Sequence, residues 1–70
     1  MIEIGDVYEE KNTGRIYVIT RESPFGRDVI YPKNGEVITD CRVSLIEEDK
    51  LIAKYNTFIE AIVAYSKNEI

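Results

Sequence analysis

The sequence predicts a mainly β domain of the α+β class: a small, antiparallel, five-stranded SH3-like barrel with one C-terminal helix. Three observations carry that expectation. Ile16-Tyr17-Val18-Ile19-Thr20 is β-branched or aromatic throughout and apolar at four consecutive positions, so both of its faces need cover, as in a central strand. Short apolar runs on either side of it are separated by tight-turn signals, Asn12-Thr13-Gly14 and Asn34-Gly35. The chain then closes on Thr57-Phe58-Ile59-Glu60, a capping box with its Glu in the third helical position. The order β-β-β-β-β-α with short strands and tight turns suits a strongly bent antiparallel sheet.

Taken in order, Ile2 and Ile4 alternate with Glu3 as a short edge strand or lead-in, and Gly5-Asp6 breaks that pattern. Val7–Lys11 and Arg15–Arg21 form the first expected hairpin. Glu22–Arg27 reads as a loop, because Pro24 cannot donate a ladder hydrogen bond and Gly26 frees the backbone. Asp28–Pro32 returns to strand. Asn34-Gly35 then predicts a two-residue type I′ turn into Glu36–Cys41, which would set Lys33 opposite Glu36, Tyr31 opposite Ile38 and Val29 opposite Asp40.

Arg42–Lys50 supports two readings. Ser44-Leu45-Ile46-Glu47 could open a helix, with Glu47, Glu48 and Asp49 in its first turn. Against that, Glu48 and Asp49 would fall within its apolar face, and Leu51-Ile52-Ala53-Lys54-Tyr55 alternates as a strand does. A short turn followed by a fifth strand is the expectation. The final helix is expected from Thr57 to about Lys67, and the plug or cover it forms completes a single domain over residues 1–70. Ile16, Val18, Val29, Tyr31, Ile38 and Ile52 are expected among the buried residues.

Size and composition narrow the function. A chain of 70 residues buries only about 60% of its unfolded surface. With one cysteine and no histidine it has neither an internal disulfide nor a zinc-binding set. Its core must come from apolar packing, with self-association as a further source of stability. The net charge of −4 argues against non-specific nucleic-acid binding, which needs a basic face. The same charge is mild enough to serve solubility alone, without DNA mimicry. No apolar run approaches the ~20 residues that cross a bilayer, so no membrane partner is expected. Met1-Ile2-Glu3-Ile4 lacks the basic start and apolar core of a signal peptide, and a lone Cys41 suits a reducing compartment. The expected place is the cytoplasm.

Two stretches resemble a group of short proteins. Gly5-Asp6-Val7-Tyr8 is followed by Thr13-Gly14 and Tyr17-Val18, and Leu51-Ile52-Ala53-Lys54-Tyr55-Asn56-Thr57-Phe58-Ile59-Glu60-Ala61-Ile62 comes later. Together they resemble small proteins, mostly uncharacterised, encoded by phages and prophages of Gram-positive bacteria. In those, a Leu-Ile-Ala-x-Tyr strand runs into a Thr-capped helix containing Glu-Ala. The aromatic after Thr is often Trp there and is Phe58 here. The resemblance covers about half the chain and implies a fold and a phage setting, with action inside the host cell. It carries over no catalytic residue.

No residue pattern signals catalysis, and the protein is expected not to be an enzyme and to need no cofactor. There is no histidine base, and the four glycines are scattered among turns instead of forming a phosphate loop. Asp40 would raise the Cys41 thiol pKa and Arg42 would lower it. Glu47-Glu48-Asp49 could attract a hard cation, but three consecutive acids do not converge from either a helix or a strand. Arg21, Phe25 and Arg27 could hold a phosphate or carboxylate and stack a ring. Alternatively, Phe25 folds under its loop and the arginines pair with Glu22 and Asp28. Tyr8, Tyr17 and Tyr31 could form a binding face, since interfaces favour tyrosine, or could serve as ordinary strand packing. On the helix, Phe58 and Ile62 define one apolar stripe, with Ile59 and Val63 beside it. Two such stripes exceed what one sheet covers, so a homodimer through the helix is expected.

The leading expectation is a non-catalytic accessory protein that binds a host protein, such as a component of a defence system. A binder of a small anion or nucleotide second messenger, built on Arg21, Phe25 and Arg27, is the rival. A structural oligomerisation module is the third.

Overall fold

The computed structural model describes residues 1–70. The elements are β1 (Asp6–Glu9), β2 (Ile16–Ser23), β3 (Gly26–Tyr31), β4 (Glu36–Cys41), α1 (Val43–Ile46), β5 (Lys50–Lys54) and α2 (Phe58–Ser66). All five strands lie in one antiparallel sheet of order β4-β3-β2-β1-β5. The ladder is open, with β4 and β5 as its two edges, so no closed barrel forms.

Strand β2 lies at the centre and is covered on both faces. Tyr17 and Ile19 join Ile2, Tyr8, Val29, Tyr31 and Ile46 in one core. Val18 turns the other way and joins Val7 and Ala61, with Ile16, Ile30, Ile52 and Phe58 packed around them. The first pairing is Val7 with Val18 and Tyr8 with Tyr17, which assigns whole rows to one core or the other.

Helix α2 starts as its sequence dictates. The Thr57 hydroxyl oxygen accepts from the Glu60 N–H at 3.1 Å, and the hydroxyl donates to the Glu60 carboxylate. Its fully buried residues are small, Ala61 and Ala64, which let the helix axis approach β1 and β2 closely. Phe58 and Ile62 are half-buried against their own chain, while Ile59 and Val63 face away at 56% and 43% exposure. Half of the expected dimer surface is thus spent within the chain.

Several expectations change. Of the two readings of Ile2–Ile4, the edge strand fails and the lead-in stands: it ends in a turn at Ile4-Gly5, where the Asp6 carboxylate accepts from the Glu3 N–H at 2.9 Å, and Ile2 is buried while Ile4 is not. Glu22–Arg27 is no loop. Glu22 and Ser23 end β2, Gly26 and Arg27 begin β3, and only Pro24 and Phe25 turn between them. Gly26 is a close-approach glycine: a Cβ there would lie 2.0 Å from the Cys41 carbonyl oxygen. The β3–β4 connection spans residues 32–35, so Tyr31 opposes Glu36 and Val29 opposes Ile38. Pro32 has no N–H for the ladder, and Tyr31 O accepts from both Asn34 N–H and Gly35 N–H, with Gly35 at φ 76°. The shift is two residues, so each side chain keeps its face. Ile38 nevertheless stays 39% exposed, because nothing packs beyond edge strand β4, while Ile16 and Ile52 are half-buried. Finally, Arg42–Lys50 contains the short helix α1 as well as the turn. Its N-cap is Arg42 without a side-chain bond, so Ser44 does not cap it, and its Ile46 is fully buried.

The most deeply buried charge is paired. Asp6 is 1% exposed and holds Lys54 Nζ at 2.8 Å, tying β1 to β5 where Gly5 O accepts from Tyr55 N–H.

Val18 is wholly buried, so Val18→Asp places an unpaired charge beneath α2. The cost is several kcal/mol, about the whole stability of a small domain. Thermal unfolding followed by circular dichroism should show no cooperative transition in this variant. A melt like that of the wild type would contradict the central placement of β2.

Candidate functional site

The largest concave feature is a cleft of about 330 Å³ on the Tyr17–Tyr31 face of the sheet. Tyr17, Val29 and Tyr31 floor it from β2 and β3, and Ile38 and Cys41 bring in β4. Leu45, Glu48 and Asp49 close the far side from α1 and the turn after it, and the β1–β2 turn supplies Glu10 and Lys11. Half its lining is hydrophobic, and its charged lining is three acids to one base.

Phenol–carboxylate bonds hold these walls. Tyr17 O–H donates to Asp49 Oδ2 at 2.5 Å, and Tyr31 O–H donates to Glu10 Oε2 at 3.0 Å. Asp49 Oδ1 also accepts from the Lys11 N–H at 2.9 Å, which fastens the β1–β2 turn to the segment before β5. The rings beneath pack in a row: Tyr8 and Tyr17 stack with centroids 5.7 Å apart at 15°, and Tyr31 tilts against Tyr17 at 5.5 Å and 51°. No Lys or Arg side chain bridges Glu10, Glu48 or Asp49 within the salt-bridge distance. The rim therefore presents acids whose charge is not neutralised within the chain.

The tyrosines expected as a binding face are mainly core. Tyr8, Tyr17 and Tyr31 are 6%, 2% and 8% exposed, so their rings pack inward, and only the hydroxyls of Tyr17 and Tyr31 shape the cleft. The Arg21, Phe25, Arg27 constellation does not assemble. Arg21 opposes Asp28 and Glu22 opposes Arg27, so the two arginines lie on opposite faces of the hairpin. Arg21 bridges Asp28 at 2.8 Å, and hydrogen bonds from the Asp40 N–H and then from Arg21 hold the Asp28 carboxyl below its usual range, against the opposing effect of burial. Arg27 donates to the Ile2 carbonyl and reaches Glu22 at 3.6 Å, so it fastens the N-terminus. Phe25 is 78% exposed at the hairpin tip and does not fold under it.

Two further candidates resolve. Burial pushes the Cys41 thiol pKa up, and Asp49 and Glu10 push it further, so the thiol stays protonated at neutral pH. The charges that act on it come from across the cleft, and Asp40 and Arg42 are not among them. No three acids or thiols converge in a geometry that could hold a metal ion. A smaller hollow of about 260 Å³ on the other side of Tyr31 contains Arg15 and Lys33. Arg15 there bridges Glu36 at 2.6 Å and lies 4.0 Å over the Tyr31 ring, so Lys33 is its one cation without a carboxylate.

Sequence reasoning missed Glu10, Lys11, Leu45, Glu48 and Asp49 as cleft residues. They fall in two groups, with Lys11 and Asp49 38 positions apart, and the segment that crosses from β4 at one edge of the sheet to β5 at the other brings the groups together. No protein-family model, curated protein or solved structure matches the chain. No helix is long and apolar enough to cross a membrane.

The phenol–carboxylate pairs give a pH signature. Burial, then the bond to Asp49, raises the Tyr17 pKa far above its ordinary value. Burial and the Glu10 bond push Tyr31 up to about 12 from 10.0. Unfolded phenols ionise first, so the unfolded chain releases protons that the folded chain retains. The phenols' contribution to stability is therefore full below pH 10 and is lost as pH rises, for Tyr31 between 10.0 and about 12. Urea titrations across that window should show a shallower loss in Tyr31→Phe than in the wild type. Equal losses would mean that Tyr31 is not held protonated by the fold.

Proposed function

We propose that the protein is a non-catalytic binding protein whose acid-rimmed cleft takes a segment of another protein. The observation that carries this reading is the cleft itself. An apolar lining of Tyr17, Val29, Ile38 and Leu45 lies beside Glu10, Glu48 and Asp49, acids that no cation of the chain bridges. Apolar area supplies binding energy, and charged groups at the edge supply orientation and partner choice. A protonated thiol and the lack of any histidine favour binding over chemistry at this cleft.

In this reading the strand order with a one-turn helix before β5 is that of an SH3-like barrel left open between its edges. The resemblance to phage-encoded proteins sets the partner in an infected bacterium, and a host defence component is the partner class we favour. That step rests on setting, because fold alone does not fix function. The small-anion reading has less support, since Arg21 and Arg27 point to opposite faces and are each engaged within the chain.

Leu45 is 55% exposed on the cleft wall, so Leu45→Lys should leave the fold intact while opposing binding. Affinity capture from bacterial lysate should enrich one protein with the wild type and lose it with Leu45→Lys. Arg21→Ala should capture as the wild type does. Capture unaffected by Leu45→Lys but lost in Arg21→Ala, or copurified absorbance near 260 nm, would favour the anion reading instead.

A further inference from the structure

Edge strand β4 and the cleft beside it point to a mode of binding. Residues 36–40 of β4 are all exposed, and β4 pairs only with β3, so one side of its backbone has no partner strand. Unpaired N–H and C=O groups along an edge are a template for a further strand. The same strand walls the cleft through Ile38 and Cys41. An extended segment laid along β4 would therefore meet backbone groups on one side, with alternate side chains directed over Ile38 and Leu45.

Charge selects the occupant. Glu36 and Asp40 stand at the two ends of the exposed run, and Glu10, Glu48 and Asp49 stand across the cleft from it. Glu36 is bridged by Arg15, while Asp40 has no cation within reach. A second copy is disfavoured. Antiparallel pairing of β4 with itself about Ile38 would set Glu36 of each copy opposite Asp40 of the other, and like charges in register are destabilising. Asp40 also sits at φ 55° where the β3–β4 register shifts, a device that limits self-pairing at an edge. A basic segment meets neither obstacle.

We propose that the partner contributes an extended segment with a basic residue at every second position, which adds to β4 as a sixth strand and lays the stems of those residues over Ile38 and Leu45, with their cations toward Asp40, Glu48 and Asp49. This deepens the cleft reading and rests on it.

The test uses the full ¹⁵N-labelled chain and two six-residue probes, Lys-Val-Lys-Val-Lys-Val and Glu-Val-Glu-Val-Glu-Val. The lysine peptide should shift the amides of Val37–Asp40 together with Leu45 and Glu48, and should slow hydrogen exchange along β4. Its affinity should fall as salt rises, and should drop about tenfold in the double variant Asp40→Asn, Glu48→Gln, loss of roughly two edge charge contacts. The substitution to Asn keeps a residue that tolerates positive φ. Equal binding of the glutamate peptide, shifts confined to Ile59 and Val63 on α2, or no shift at millimolar lysine peptide would overturn the proposal. Concentration-dependent protection of β4 without peptide would overturn it too, in favour of a second copy. If the peptide fails while Leu45→Lys still abolishes capture, strand addition falls and the cleft reading stands. If Leu45→Lys leaves capture intact, the cleft reading itself falls.

Discussion

Val18 and Ile19 are adjacent in the chain, face opposite sides of β2, and have no solvent exposure. That double burial is the constraint on which the rest of the molecule depends. A sheet of five short strands has two faces, and 70 residues supply little material to cover them both. The chain meets the requirement with different elements on each side. Helix α2 lays Ala61 and Ala64 against β1 and β2, and small residues let a nine-residue helix shield Val7 and Val18 closely. On the other face the cover comes from a tyrosine row and from Ile46 of one short helical turn. Cover thins toward β4, where the cleft begins.

Polar contacts pin the edges of this arrangement. The Asp6–Lys54 pair ties β1 to β5 at one end, with Glu3 adding a second carboxylate to Lys54 at 3.2 Å. At the other end, Tyr17 with Asp49 and Tyr31 with Glu10 convert core rings into anchors for surface turns. Each phenol is apolar in its body and polar at its tip, so one side chain serves both the core and the cleft wall. The candidate site is therefore a by-product of the same packing that supports β2, placed where the core reaches the surface.

Much of the fold was legible because local chemistry and tertiary need agreed. The Ile16–Thr20 run announced a strand covered on both faces, and Thr57 with Glu60 announced the start of α2. Misreadings arose where one residue type serves two purposes. Gly26 looked like a loop glycine, yet its small size admits the Cys41 carbonyl to a strand. Asn34-Gly35 looked like a two-residue turn, but Pro32 opened the ladder earlier. Ile38 has the composition of a core residue and the position of an edge residue, and position decides exposure. The cleft was the least legible part. Glu10, Leu45 and Asp49 carry no local pattern that links them, and the hydrogen bonds that fasten Glu10 to Tyr31, and Asp49 to Tyr17 and Lys11, span 21 to 38 positions in the chain. Arg21, Phe25 and Arg27 are close in sequence, and strand alternation separates the two arginines.

The double burial of β2 can be measured residue by residue through native-state hydrogen exchange. Amides held only by global unfolding exchange last, and those in edges and frayed helices exchange by local opening. If β2 depends on both covers and both depend on β2, the amides of Tyr17, Val18 and Ile19 should be the slowest in the chain. They should share one opening free energy equal to that from denaturant unfolding, while β4 amides exchange sooner. Amides of Tyr17–Ile19 that exchange through local openings, or that are outlasted by those of β4, would contradict the account.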